Sequence, residues 1–279
     1  MEEHWRGPLY PARLPSFHRI PAPAGLADRV RWFWVPEWDL APGRTSRQEV
    51  LPFPALNLVV EPDGVRLYGP ATRRSYRDLT GSGWAVGLLL RPAAVPFLCA
   101  DPGALKDSST ALDLPELRQD VTRAMSVAEE NDDGGTHRAA AAAAASAWLE
   151  ATVPEPAPEG LLVNRLEELI EQNPPLTRVD QAAALLGVSA RTLQRLARKY
   201  VGLPPLAMIR RYRLQEAAER LRTSPGLGIA DVAAELGYAD HAHLTEVFRE
   251  VLGFTPSGYR RSAAPGEGNS GGGPPVAGH

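Results

Sequence analysis

The chain has 279 residues, 44% of them hydrophobic and 23% charged, with a net charge of −3. That apolar content is enough for one large or two ordinary globular domains and excludes disorder as the global state. The longest apolar stretches, such as WAVGLLL from Trp84 to Leu90, fall well short of the roughly 20 residues of a membrane-spanning helix, and the opening MEEHWRGPLYPARLP carries no apolar signal core, so a cytoplasmic protein with no membrane partner is expected.

In chain order, the first half reads as strands. RVRWFWV (Arg29 to Val35), LNLVVEP (Leu56 to Pro62), GVRLYG (Gly64 to Gly69) and WAVGLLL are short, aromatic or β-branched, and punctuated by Pro, Gly and Asp. Helical sequence follows in PELRQDVTRAMSVAEE and in RAAAAAAASAWLE, whose alanines have the highest intrinsic helix propensity. The expected first domain is therefore α+β, sheet first and helices after. Its alanine-rich helix suits a surface or bridging position, or packing against a second copy in a homodimer. The aromatics Trp32, Phe33, Trp34, Trp38, Phe53 and Trp84 suit either a core or an apolar pocket for a small-molecule effector, with Trp34, Phe53 and Trp84 the candidate pocket residues. Cys99, the single cysteine, excludes an internal disulfide, and in the apolar setting PFLCA it reads as an inert thiol.

VPEPAPEG, Val153 to Gly160, alternates proline with acids and small residues and reads as a linker without helix or central strand. Charge divides at the same place: residues 1–160 carry 16 basic and 21 acidic side chains, residues 161–262 carry 14 and 11. The expected domains are thus residues 1–152 and 161–262, with 153–160 between them and a tail, 263–279, too poor in apolar side chains to fold.

The second half contains a repeat. Val179, Ala182, Ala183 and Leu186 recur at helical spacing and stop at Gly187; Ile229, Val232, Ala233, Leu236 and Gly237 repeat them 50 residues later. Ser189 can cap a following helix with the buried stripe Leu193, Leu196, Ala197, Tyr200 and Val201, and Asp240 caps a second with Leu244, Val247, Phe248, Val251 and Leu252. Two short-helix, tight-turn, helix units make two helix-turn-helix units and an all-α domain. Between them a long helix is expected over LPPLAMIRRYRLQEAAERLRT, with a stripe through Leu206, Ile209, Leu214, Ala217, Ala218 and Leu221, spanning roughly 28 Å against the ~34 Å of one DNA turn.

AAALLGVSARTLQRLARKYVGLPP, IRRYRLQEAAERL and AAELGYADHAHLTEVFREVLGFTPSGYRR together resemble the DNA-binding domain of the AraC/XylS family of bacterial transcription regulators. LPFPALNLVV, YGP and VGLLLRPAAVPFL are similar to the N-terminal domain of one subgroup of that family. The resemblance implies seven helices, double-stranded promoter DNA as partner, RNA polymerase as a second partner if the protein activates, a sensing or dimerising first domain, and a place at the bacterial nucleoid.

On the first recognition helix the off-stripe residues are Arg191, Thr192, Gln194, Arg195, Arg198 and Lys199, four cations and no anion, suited to guanine edges and phosphates. By the resemblance, Arg191, Gln194 and Arg195 read bases. The matching positions on the second helix are Ala242, His243, Thr245, Glu246, Arg249 and Glu250, so base contact there, through His243, Thr245, Glu246 and Arg249, is expected to be weaker. His241 and His243, two residues apart on a helix, make no metal site. No cofactor is expected: TGSGWAVG misses the dinucleotide fingerprint by one residue, and no GxxxxGK[ST], GxSxG or HExxH occurs. The alternatives are a protein-interaction adaptor with a degenerate helix-turn-helix, or an enzyme fused to a DNA-binding domain.

Overall fold

The computed structural model describes residues 16–50, 52–126, 135–224 and 226–263. In the first half, β1 (Ser16–Pro21), β2 (Val30–Asp39), β4 (Asn57–Glu61), β5 (Gly64–Tyr68), β8 (Val86–Leu90) and β9 (Ser109–Leu112) form one antiparallel sheet in the order β1-β2-β8-β4-β5-β9, with β7 (Ser82–Trp84) beside β2. A separate ladder joins β3 (Thr45–Val50) to β6 (Ser75–Thr80). WAVGLLL is divided at Ala85, which lies between β7 and β8 with its amide donating to the Pro36 carbonyl of β2 at 3.2 Å.

Side chains alternate across a strand, so β2 serves two faces. Phe33 and Val35 point with Leu58, Val60, Leu88 and Leu90 into a core closed by α2 (Pro115–Ser126) and α3 (Thr136–Thr152), while Trp32, Trp34 and Trp38 occupy the other face. Between β8 and α2 runs the short α1 (Val95–Leu98). Ala141, Ala142 and Ala145 of the alanine run are buried in this core, their small side chains letting α3 lie close on α2. The last residues of PELRQDVTRAMSVAEE, and the tail from residue 264, lie outside the described residues.

The expected linker is shorter than its composition suggests. α4 (Pro158–Gln172) starts inside it, because proline at a first helical position has a suitable φ and a nitrogen without a hydrogen, so no donor is left unpaired there. The Leu161 amide closes the first turn on the Ala157 carbonyl at 3.1 Å.

The seven helices α4, α5 (Val179–Leu185), α6 (Ala190–Val201), α7 (Pro205–Thr223), α8 (Ile229–Glu235), α9 (His241–Leu252) and α10 (Pro256–Ala263) make two cores that share α7. Its first half, through Met208, Ile209 and Tyr212, joins Leu166, Leu193, Leu196 and Ala197. Its second half, through Leu214, Ala217, Ala218 and Leu221, joins Val232, Leu236, Leu244 and Phe248. The expected single stripe on α7 is corrected at its start: Leu206 is 37% exposed, and Pro205, Met208 and Tyr212 are buried instead. The face turns midway because the two cores lie on different sides of the helix.

The halves of the chain are packed together. Phe53, Ala55 and Leu89 belong to the same core as α6, and the buried Asn164 of α4 accepts the Ala93 amide at 3.0 Å while donating to the Asp28 carbonyl at 2.9 Å.

Candidate nucleic-acid interface

Each recognition helix is aimed by the turn before it. Gly187 and Gly237 both stand at φ +68°, a conformation that favours glycine. The Val188 amide reaches the Ala183 carbonyl at 3.0 Å, and Tyr238 reaches Ala233 at 2.9 Å, so each first helix ends in the same Schellman closure. Ser189 Oγ then accepts the Thr192 amide at 3.1 Å, and Asp240 Oδ1 accepts that of His243 at 2.7 Å, starting α6 and α9.

On α6, Arg191, Gln194, Arg195, Arg198 and Lys199 are exposed on one face, opposite the buried Leu193, Leu196, Ala197 and Tyr200. Thr192 sits at the edge of that face, half-buried, its Oγ1 2.9 Å from Ser189 Oγ, and belongs to the cap. On α9, Glu246 and Arg249 are exposed and line a shallow surface hollow with His241, Ala242 and Glu250. His243 is exposed as well, but its ring is held back against the turn: its Nδ1 accepts the Ala239 amide at 3.3 Å and its ring meets Tyr238 edge-on at 5.4 Å. Thr245 is half-buried at the margin of the hollow, with its hydroxyl oxygen buried and without a hydrogen-bond partner among the described residues.

One residue against this face was not anticipated. Glu159, in the first turn of α4, reaches over α6 and grips two of its cations, with Arg195 Nη2 at 2.9 Å from Oε1 and Lys199 Nζ at 2.9 Å from Oε2. Lys199 and Arg195 hold its carboxyl below the usual carboxylate range. An acid in a proline-rich stretch 36 residues before Arg195 gives no periodic signal of this pairing.

The candidate pocket residues divide. Trp34 and Phe53 line a cavity of about 740 Å³ between the large sheet and the β3–β6 ladder. Trp84 does not: it packs against the core on the helix side of the sheet. Strand parity carries the signal that was missed, since Trp32 and Trp38 share the Trp34 face of β2 and also line the cavity. Phe33 is wholly buried in the opposite core. Cys99 is half-buried, and burial pushes its thiol up, away from the reactive thiolate. Among the described residues no helix is long and apolar enough to cross a membrane.

Residues 182–262 match a family described as a helix-turn-helix domain, and residues 18–110 match a domain of unknown function (DUF6597). Over 104 residues the chain is 36% identical to the HTH-type transcriptional activator AarP of Providencia stuartii, covering 37% of this chain and 68% of AarP. The chain belongs to the AraC-type family of transcription regulators. To the HTH-type transcriptional regulator GlxA of Rhizobium meliloti this AraC-type chain is 36% identical over 100 residues, 36% of its own length and 30% of GlxA, so it spans under a third of that relative. Among solved structures, an AraC-type regulator from Chromobacterium violaceum aligns at 27% identity over 38% of this chain and 96% of that one, with a TM-score of 0.36. ToxT from Vibrio cholerae aligns at 11% identity over 84% and 99%, with a TM-score of 0.48.

Proposed function

We propose that the chain binds specific promoter DNA in the major groove and regulates transcription there, with α6 as the principal reading helix. The observation that carries this reading is the exposed face of α6, on which Arg191, Arg195, Arg198 and Lys199 stand together with no acid of the same helix among them. Arginines reach both acceptors of a guanine edge, and the flanking cations suit phosphates. Arg191, Gln194 and Arg195 take the base-reading role, Arg198 and Lys199 the backbone role. α9 positions the second unit, since Glu246 and Glu250 oppose close approach to phosphate.

The N-terminal half, residues 1–152, serves as the sensing part and residues 161–262 as the DNA-binding part. Control by a small effector is supported by the route from the cavity to both helix-turn-helix units. Phe53 of the cavity wall meets Tyr212 of α7 edge-on at 5.4 Å, and the amide of Arg74, also on the wall, donates to the Val251 carbonyl of α9 at 3.1 Å.

The test is selection of duplexes from a random library by the full chain, followed by salt titration of the selected sequence. An enriched motif whose affinity falls steeply with salt is expected. No enrichment, with feeble binding even at low salt and unaltered by ligand, would remove the DNA reading and favour an adaptor.

A further inference from the structure

We propose that the cavity takes an uncharged, flat ring compound bearing one hydrogen-bond acceptor, and that compounds of this class are what the N-terminal half senses. The proposal rests on the effector-control reading above for its regulatory meaning and on the cavity alone for its chemistry.

The floor is built from two indoles laid flat. Trp34 faces Gly87 across the β2–β8 ladder, and Trp38 faces Gly83 across β2–β7. A Cβ on Gly87 would fall 1.9 Å from the Trp34 ring, and one on Gly83 would fall 2.5 Å from that of Trp38, so both rings rest directly on glycine backbone. Their edges are fixed as well: Trp34 Nε1 donates to Asn57 Oδ1 at 3.1 Å, and Trp38 Nε1 to the Thr80 carbonyl at 3.2 Å. A rigid aromatic floor of this kind offers stacking area without a side chain to order on binding, which favours a flat ring over a flexible chain. The volume, about 740 Å³, lies in the range of small-molecule sites.

Asn57 selects the polar group. An indole N–H needs an acceptor, so the oxygen of Asn57, a residue of the cavity wall, faces Trp34, and its amide nitrogen is left with N–H donors that meet no acceptor among the described residues. A ligand carbonyl or ether oxygen completes that group.

The ionic side chains of the lining are mostly engaged with one another or with solvent, which argues against a charged ligand. Arg74 is paired with Glu49, Arg77 with Glu61, and Asp107 accepts from Thr72, while Arg73 is exposed to solvent. A charge carried to the indole floor would lie there without a partner.

The experiment reads quenching of tryptophan fluorescence in the full chain, without DNA, by 2-acetylnaphthalene, naphthalene, 2-naphthalenesulfonate and decanoate. Saturable binding in the order acetylnaphthalene, naphthalene, then the two anions is expected. Asn57→Asp keeps the acceptor for Trp34 but removes the donors, and should weaken acetylnaphthalene about tenfold, the worth of one hydrogen bond, while barely changing naphthalene. Val59→Trp, which fills the cavity from β4, should abolish both. Tighter binding of either anion, equal losses for both naphthalenes in Asn57→Asp, or unchanged binding in a folded Val59→Trp would overturn the assignment. Because no DNA is present, a failure of the promoter-binding reading leaves these outcomes untouched. Acetylnaphthalene then shifting the affinity of the selected duplex is the expected second result, and binding without any such shift would overturn the sensing role.

Discussion

At the scale of single residues, the decisive contacts come from outside the helix they act on. Glu159 occupies Arg195 and Lys199 with one carboxylate, so DNA must displace it before either cation is free. All three side chains are about half exposed, and such pairs are weak in water. Glu159→Gln is therefore expected to tighten binding to non-specific duplex by roughly two- to fivefold, measured by fluorescence anisotropy at low salt, with the gain disappearing as salt rises. Unchanged affinity would mean that the carboxylate merely follows the arginine. The cationic face of α6 was legible in the sequence because helical spacing separates it from the buried stripe. Glu159 was not, since a contact between helices has no spacing to read, and Trp84 was misplaced because aromatic content was weighed without strand parity.

At the scale of elements, the two helix-turn-helix units were the most legible part of the chain. Their stripes, stops and caps recur at a nearly constant offset, and each agrees with the local structure that its residues prefer. Gly187 and Gly237 share φ +68° but not their surroundings: a Cβ on Gly187 meets nothing within 4 Å, whereas one on Gly237 falls 2.8 Å from Thr177 Cγ2. Chemical denaturation is expected to show Gly187→Ala costing about 1 kcal/mol, from backbone conformation alone, and Gly237→Ala costing more. Equal losses would place the cost entirely in the backbone. β3 and β6 were illegible for the opposite reason. TSRQEV and SYRDLT are mostly exposed polar sequence, held by backbone pairing and by Arg47 to Asp78 at 2.7 Å, and carry little of the apolar alternation by which strands are recognised.

At the scale of the molecule, the halves are joined by a buried charge cluster. Glu167 of α4 is 1% exposed and accepts from Arg91 Nη1 at 2.7 Å and from the Tyr212 hydroxyl at 2.8 Å, with Arg31 Nη1 3.6 Å away; Arg31 and Arg91 come from the N-terminal half. Desolvation and the adjacent Glu167 push the Tyr212 hydroxyl well up, so it stays a donor. Removing the carboxylate takes away the buried acceptor of Arg91 Nη1 and of the Tyr212 hydroxyl, and leaves Arg91 and Arg31 with the more exposed carboxylates of Glu168 and Glu171. Glu167→Ala is expected to cost about 3–5 kcal/mol in denaturation, against under about 1 kcal/mol for Glu168→Ala, whose side chain is 45% exposed. Comparable losses would show that the cluster is hydrated. The linker composition pointed to two units, but this junction was invisible in it, because its members lie up to 181 residues apart.

The central claim is that α6 rather than α9 reads the promoter, and the most direct measurement is the affinity of the full chain for its selected duplex in Arg195→Ala and in Glu246→Ala, each against duplexes varied one base pair at a time. The expected result is a loss of about ten- to a hundredfold for Arg195→Ala, with discrimination relaxed at particular bases, and little change for Glu246→Ala. Comparable losses in the two variants, each relaxing its own bases, would contradict it and give the two helices equal parts in recognition.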